Sequence, residues 1–266
     1  MTYLFDPDNW EWLWTGNNAR FILEGFLINL EIAFVSMIFA LALGLVLALL
    51  RLSRIGPVSF LAGAWIDVFR NLPLIFLILY FALGIPGAWK DAWEDAMPSW
   101  APAAFQSGLV LGALLALVLY NSAVLAEIMR AGILSLPRGQ GEAASALGMT
   151  YVQRMRFVIL PQGLRRMVPA TVSQLITLNK DTTLVSIIAI TEVMRRGRIV
   201  ASSNFFAIVE TPVLHVFIFI GVLFVIVNYA LSRLSRRLEL RERRITGGTK
   251  LKRVAGLEDQ VAADPV

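Results

Sequence analysis

The sequence GEAASALGMTYVQRMRFVILPQ, from Gly141 to Gln162, lies between apolar stretches but is itself charged. Its glutamate and two arginines stand among good helix formers, so it is helical and cannot cross a bilayer. Gly148 suits the end of a helix, because glycine tolerates the left-handed backbone of a C-cap. Thr150 and Gln153 have the spacing of a capping box, which satisfies free backbone N–H groups at the start of a helix. The sequence therefore predicts two short helices joined at a glycine.

Prolines mark the outer limits of this helix pair. Pro137 suits the first turn of the first helix, where its missing N–H is no loss. Pro161 is expected to stop the second helix, because a proline ring removes a helical hydrogen bond and clashes with the preceding turn. We therefore place the pair at about residues 137–161.

The whole chain has the composition of a membrane protein. Of its 266 residues 57% are hydrophobic and 16% are charged, whereas soluble domains are roughly half apolar and a quarter charged. Cysteine is absent and His215 is the single histidine, so neither a disulfide nor a metal site is expected. The net charge of +5 is more typical of basic cytoplasmic loops than of nucleic-acid binding.

Five stretches contain enough apolar residues to cross the hydrocarbon core, which takes about 20 residues of helix. The fourth stretch is broken at Lys180 and Asp181, and neither half is long enough alone. We therefore predict an all-α integral membrane protein with five transmembrane helices and an interrupted fourth span. The stretches are Ile32–Leu50 (after a more polar Gly25–Glu31), Asn71–Trp89, a run from about Phe105 within Ala96–Ala126, Met167–Thr191 and Thr211–Ser232.

The positions of the arginines orient the spans, since basic residues concentrate in cytoplasmic loops. Clusters follow the first, third and fifth spans, which places the N-terminus outside and the C-terminus in the cytoplasm. Arg195, Arg196 and Arg198 would lie outside, against this rule. The chain then divides into an external or interfacial segment 1–24, a transmembrane domain 25–236, and a cytoplasmic tail 237–266, where a short helix end precedes disorder.

Two local patterns each have two interpretations. Three N-terminal tryptophans could lie at the membrane interface or pack within a loop. Small residues four apart let helices approach closely, either within the subunit or at a dimer interface. The residues are Trp10, Trp12 and Trp14 for the first pattern, and Ala40, Gly44, Gly108 and Gly112 for the second.

The first helix of the 137–161 pair favours docking to a protein over resting on lipid. Ala143, Ala144 and Ala146 offer little apolar area to a bilayer but allow close insertion into a groove. The carboxylate of Glu142 would be repelled by an anionic membrane surface.

These residues resemble the EAA loop of ABC importer permeases: Glu142-Ala143-Ala144, then Gly148, then VILP at residues 158–161. Further segments are similar to the polar amino-acid uptake branch, which includes histidine, glutamine, glutamate, arginine and opine permeases. The resemblance covers roughly residues 25–197, and it departs from the usual pattern at Glu31, Asn71-Leu72, Val158 and Gly163. The further segments are YNSAVLAEIMRAGILSLPRGQGEAASALG (120–148), ILPQGLRRMVP (159–169), NKDTTLVS (179–186) and DVFRNLPLIFL (67–77).

The resemblance implies a type I ABC importer permease fold, like that of the methionine importer, in a bacterial cell membrane. It implies that a separate ATP-hydrolysing subunit, in two copies, receives the loop in a groove. It also implies a second permease, identical or homologous, an extracytoplasmic solute-binding protein and a polar amino acid as substrate. The chain itself would carry no catalytic residue and no cofactor. The coupling residues would be Glu142, Ala143, Ala144, Gly148 and Pro161.

Charges inside an apolar stretch usually face a cavity or each other, because they are costly at membrane depth. Lys180 and Asp181 could therefore line the translocation path and meet the charged ends of an amino acid. They could instead be structural, holding the bend of the fourth segment by forming an ion pair or by reaching the helix C-terminus. The polar neighbours that extend this candidate path are Gln174, Asn179, Thr182 and Thr183. A second cluster, a structural or gating candidate in which the first two residues could pair, comprises Asp67, Arg70 and Pro73.

Two other functions fit less well. An ion-coupled secondary transporter could use Lys180 and Asp181 as ion sites, but such folds show two related halves, and none is seen. A membrane-embedded enzyme needs a nucleophile with a base or metal ligands, and a single histidine without cysteine makes this a poor match.

Overall fold

A computed structural model describes residues 2–14, 16–203 and 213–263, except for the side chains of residues 2, 3, 203 and 242–263. The described residues form helices and turns, with no β-strand among them. Shorter helical segments occupy Thr2–Phe5, Pro7–Trp10, Glu11–Trp14, Tyr151–Arg154, the π-helical Met155–Ile159 and the 3₁₀-helical Thr182–Ile188. The longer helices are α1 (Asn18–Arg51), α2 (Gly56–Asn71), α3 (Leu74–Gly84), α4 (Gly87–Ala96), α5 (Leu109–Leu134), α6 (Arg138–Ala146), α7 (Leu160–Asp181), α8 (Val193–Ser203) and α9 (Val213–Ala263).

Three helices among the described residues are long and apolar enough to cross a membrane: α1, α5 and the Val213–Arg241 part of α9. Helices α2 and α3 qualify only as a pair, and they are bent by 98° at the break between them. By length and composition the described residues therefore contain three spans, or four if the bent pair is one span. The all-α membrane architecture is as predicted, whereas the count of five spans stays a prediction.

The second predicted span, Asn71–Trp89, is wrong as a single helix. Helix α3 has only 11 residues, and a sharp corner separates it from α2, the preceding helix. Leu72 and Pro73 are extended at this corner, with ψ of 135° and 127°. A residue before proline avoids helical backbone, so the apolar run is interrupted however hydrophobic it is. Pro73 precedes the first residue of α3, as expected of a residue that opens a helix.

The prediction that Pro161 stops a helix is also wrong. The backbone continues from Tyr151 through the π-helical segment into α7, where the N–H of Leu160 bonds to the carbonyl of Met155. This wider turn directly precedes Pro161, and π-turns accommodate disruptions of the regular hydrogen-bond pattern. The interruption predicted at Lys180 and Asp181 is confirmed, since α7 ends at Asp181 and a 3₁₀ helix follows.

The structure comprises two units, one formed by Met1–Arg130 with Gln174–Tyr229 and the other by Ala131–Ser173 with Ala230–Val266. The first unit contains two apolar clusters. The larger joins α1, α3, α5 and the 3₁₀ helix, with fully buried Ile32, Ile78, Leu117 and Val185. The smaller joins α1, α8, α9 and the N-terminal segment.

The N-terminal tryptophans pack against the smaller cluster in two of three cases. Trp12 is buried and meets the ring of Phe219 edge-on at 6.1 Å, while Trp10 meets His215 edge-on at 4.9 Å. Trp14 is exposed. Packing is therefore the better interpretation for Trp10 and Trp12, and the buried His215 takes part in this packing through its contact with Trp10.

Arg196, one of the arginines that disagree with the topology rule, is held by other groups. It donates to the carbonyl of Phe21 at 2.8 Å and to the carboxylate of Glu24 at 3.1 Å, and its side chain is only 14% exposed. A paired and largely buried charge differs from the free loop arginines on which the rule rests.

The small residues serve packing inside the subunit. A Cβ added at Gly112 would lie 2.6 Å from the Cα of Ala82, and one at Gly44 would lie 3.0 Å from the carbonyl oxygen of Ser122. Helix α5 therefore approaches α3 and α1 at backbone distance. The intrasubunit interpretation accounts for these glycines without a dimer interface.

Gly112→Val is expected to destabilise the subunit, because the added side chain overlaps the backbone of α3. Overpacking of this kind costs about 1–3 kcal/mol. The melting temperature of the detergent-solubilised protein should fall, whereas Gly84→Ala, whose Cβ would meet nothing within 4 Å, should leave it unchanged. Equal melting temperatures for the two variants would contradict the close approach of α3 and α5.

The C-terminal tail differs from its prediction. Helix α9 continues to Ala263, where a short helix end followed by disorder was expected. The start of the fifth predicted span, at Thr211, lies outside the described residues.

Candidate functional site

The predicted caps of the 137–161 segment are present in the second unit. Pro137 precedes α6, and Gly148 follows it with a left-handed φ of 75°. The hydroxyl oxygen of Thr150 accepts from the N–H of Gln153 at 3.3 Å, and the Gln153 side-chain oxygen accepts from the N–H of Thr150 at 2.9 Å. The glycine turn and the capping box are thus confirmed.

Side-chain contacts that the sequence did not predict hold α6 against the residues that follow it. Arg154 donates to the hydroxyl of Ser145, and that hydroxyl donates to the carbonyl of Gly141 at 2.9 Å. The amide of Gln162 donates to the side-chain oxygen of Gln140 at 3.2 Å. Both ends of α6 are therefore braced, which makes the segment a stiff body able to transmit a displacement.

The outer face of this segment is available for contact. Ala144 is buried, whereas Glu142, Ala143 and Gly148 are exposed. Leu147, which directly follows α6, is 79% exposed. The structure thus separates the alanines into an inner residue that packs and outer residues that could dock.

The start of α7 packs closely on the end of α5 within the second unit. A Cβ at Gly163 would lie 2.8 Å from the Ile133 side chain, and one at Gly132 would lie 2.9 Å from the carbonyl oxygen of Gly163. Arg166 donates to the carbonyl of Ser135 at 2.7 Å. The departure from alanine at Gly163 therefore has a steric reason, because this contact has no room for a methyl group.

The other end of α7, in the first unit, is tied to three long helices by side-chain hydrogen bonds, which we call the mount. Gln174 donates to Asn121 of α5 at 2.8 Å, and Asn179 donates to Asn228 of α9 at 3.1 Å. Asn29 of α1 donates to the hydroxyl of Thr182 at 3.0 Å. Three of the predicted path residues thus have partners that position them.

Two hydroxyls explain where α7 stops. Thr182 donates to the carbonyl of Asn179 at 2.7 Å, and Thr183 donates to the carbonyl of Lys180 at 2.8 Å. Carbonyls at the end of a helix lack partners inside it, and nearby side chains can satisfy them. The helix therefore ends at the charged residues.

Lys180 and Asp181 take no part in the mount. Lys180 is exposed and Asp181 is half-buried, and neither forms an ion pair with a described residue. The direct ion pair, one form of the predicted structural role, is not formed. The roles at the translocation path and at the helix C-terminus stay predictions for these two charges, which are adjacent at the end of α7.

The second predicted cluster does not form its expected pair. Asp67 and Arg70, both described, make no ion pair with each other; the amide of Asn71 instead donates to the carbonyl of Asp67 at 2.7 Å. An unpredicted ion pair joins Glu127 and Arg130 of α5 at 2.8 Å. Their spacing of three on a helix was the available signal.

The known proteins to which this chain is similar include permease proteins of bacterial transport systems. A family model described as binding-protein-dependent transport system inner membrane component matches residues 25–243. A probable glutamine ABC transporter permease protein of Bacillus subtilis is 34% identical over 225 residues, which are 85% of this chain and 95% of the relative. The arginine transport system permease protein ArtQ of the same organism is 38% identical over 177 residues, 66% of this chain and 74% of the relative.

Solved structures show the same fold. A chain in the crystal structure of an amino acid ABC transporter with histidines matches with a TM-score of 0.68 and 27% identity, covering 86% of this chain and 98% of that one. A chain of the MetNI methionine ABC transporter matches with a TM-score of 0.62 and 21% identity, covering 84% of this chain and 99% of that one. The expected fold, like that of the methionine importer, is confirmed. The chain belongs to the family of inner membrane components of binding-protein-dependent transport systems.

Proposed function

We propose that this chain is the permease subunit of an ATP-driven importer for a polar amino acid. The observation that carries the proposal is the braced 137–161 segment, whose outer face presents Glu142, Ala143 and Leu147. The names of the relatives support the amino-acid assignment, since they include glutamine and arginine permeases. In this role Glu142, Ala143 and Gly148 contact a separate ATP-binding subunit, Ala144 packs on the inner side of the segment, and the exposed Pro161 directly follows its π-helical turn.

The complex that this role requires has several further parts. Two copies of the ATP-binding subunit bind and hydrolyse ATP, so this chain needs no cofactor and no catalytic residue. A second permease, identical or homologous, completes the translocation path, and an extracytoplasmic protein delivers the solute. The N-terminus lies outside and the C-terminus in the cytoplasm, which follows from the arginine distribution.

The solute meets the end of α7. An amino acid carries a carboxylate and an ammonium, which match the cation of Lys180 and the anion of Asp181. Gln174, Asn179 and Thr182 hold this end in place through the mount, and Thr183 closes the helix. The permease can flex at the corner between α2 and α3, because two extended residues interrupt the helices there. Pro73 lies in this corner, and Asp67 and Arg70 lie in the part of α2 that leads to it.

Co-purification and reconstitution test the proposal. The tagged permease should retain an ATP-binding subunit from its own cells. The reconstituted complex, with its solute-binding protein, should accumulate labelled glutamine, glutamate or arginine only when ATP is supplied. Accumulation by this chain alone under a proton or sodium gradient would instead show a secondary transporter that uses Lys180 and Asp181.

A further inference from the structure

A buried polar network lies next to the mount and centres on Glu192, in the link between the 3₁₀ helix and α8. Asn29, Thr182 and Glu192 are all fully buried. One carboxylate oxygen of Glu192 accepts from the Asn29 amide and from the N–H of Met194, both at 3.0 Å. The other oxygen accepts from the N–H of Arg195 at 2.8 Å.

A buried carboxylate is costly unless hydrogen bonds compensate it. Here three donors do so, and the start of α8 adds a favourable dipole. No ion pair to Glu192 is present among the described residues. An apolar side chain of similar size would leave one hydrogen of Asn29 and the N–H groups of Met194 and Arg195 without an acceptor. The carboxylate therefore fixes the geometry of all three groups.

The geometry that Glu192 enforces is the orientation of the Asn29 amide. The oxygen of this amide accepts from the N–H of Val193 at 3.0 Å, so its nitrogen must face the other way. That nitrogen has two hydrogens, and it donates one to Glu192 and one to Thr182. Glu192 and the N–H of Val193 together therefore fix the donor that holds Thr182, the residue directly after Asp181.

We propose that Glu192 is a positioning residue for solute recognition, which it controls by fixing Asn29 and thereby the end of α7 that bears Lys180 and Asp181. This inference rests on the proposed function, in which those two residues meet the amino acid. Glu192 itself is fully buried and does not touch the solute.

Glu192→Gln tests the network with almost no change in volume. Glutamine offers one acceptor oxygen in place of two, so at least one of the three donors loses its partner. Glu239→Gln is the matched control. It makes the same chemical change at an exposed residue of α9, away from Asn29 and Thr182.

Binding of labelled glutamine, glutamate and arginine is measured on the purified complex with its ATP-binding subunits and without solute-binding protein. For the amino acid that wild type accumulates, Glu192→Gln should raise the Kd about tenfold, the equivalent of roughly 1.4 kcal/mol, with the number of binding sites per complex unchanged. Glu239→Gln should leave the Kd at the wild-type value. Because a purely structural role would reduce the number of competent sites and leave the Kd unchanged, that result would overturn the inference.

Two further outcomes are informative. If Glu192→Gln yields no complex, Glu192→Asp replaces it, since it keeps the carboxylate but withdraws it from Asn29 by one methylene; a wild-type Kd in that variant would overturn the inference. If the wild-type complex accumulates none of the three amino acids with ATP, the proposed function fails before Glu192 is tested.

Discussion

Replacing Gly148 with valine is expected to lower ATP-dependent uptake at least about tenfold while the protein still inserts into the membrane. Gly148 has a φ of 75°, and a Cβ there would meet nothing within 4 Å, so the cost lies in the backbone alone. Left-handed backbone costs an L-residue roughly 1–2 kcal/mol and is least tolerated by β-branched side chains. The turn should open to relieve this strain, and α6 would lose its fixed position relative to the capping box at Thr150. ATP hydrolysis by the complex should then be uncoupled from uptake.

Gly139→Ala is the matched control, because Gly139 lies in α6, the helix that Gly148 follows, has ordinary helical backbone and also has open space around an added Cβ. Its uptake should equal that of wild type. Deletion of Glu142–Gly148 should abolish uptake and still leave the protein in the membrane. Normal transport and normal coupling in the Gly148→Val complex would mean that the 137–161 segment does not carry the coupling.

Asp181→Asn should weaken binding of the transported amino acid by about 10- to 100-fold, because a hydrogen bond to a charged group contributes roughly 1.5–3 kcal/mol. Asp181 is half-buried and has no ion-pair partner among the described residues, so its charge is available to an ammonium group. The asparagine variant keeps the shape and removes only the charge. The amount of assembled complex should not change.

Asp91→Asn provides the control, since Asp91 is an exposed carboxylate on α4 and undergoes the same chemical change. Its complex should bind the amino acid with wild-type affinity. Size-exclusion chromatography of both complexes separates binding from assembly. If the Asp181→Asn subunit no longer assembles with its partners, Asp181 stabilises the protein, and the solute must be recognised elsewhere.

Local patterns carried most of the correct predictions. The glycine turn at Gly148 and the capping box at Thr150 depend on residues no more than three apart, and both are present. The same local reasoning failed at prolines. At Pro73 it overlooked the effect on the preceding residue, and at Pro161 it overlooked that a π-turn can carry a helix past a proline.

The contacts that build the site could not be predicted from the sequence. Asn29 and Glu192 are 163 residues apart, and Asn179 and Asn228 are 49 apart. A hydrogen bond between residues far apart in sequence leaves no periodic pattern in that sequence. Nothing in the residues next to Glu192 distinguishes it from an ordinary glutamate in a polar link. The four polar residues near Lys180 were identified because they interrupt an apolar stretch, but their division into mount and helix closure needed the fold.

The contact between Gly132 and Gly163 has a mechanical consequence. Helix α5 ends just before α6, and α7 begins shortly after it, so these two helices flank the 137–161 segment in sequence. With backbone touching backbone, and Arg166 holding the carbonyl of Ser135, the two helix ends have little freedom to slide apart. In the proposed role, a push on α6 therefore reaches the end of α5 and the start of α7 together, because these two ends are held to each other.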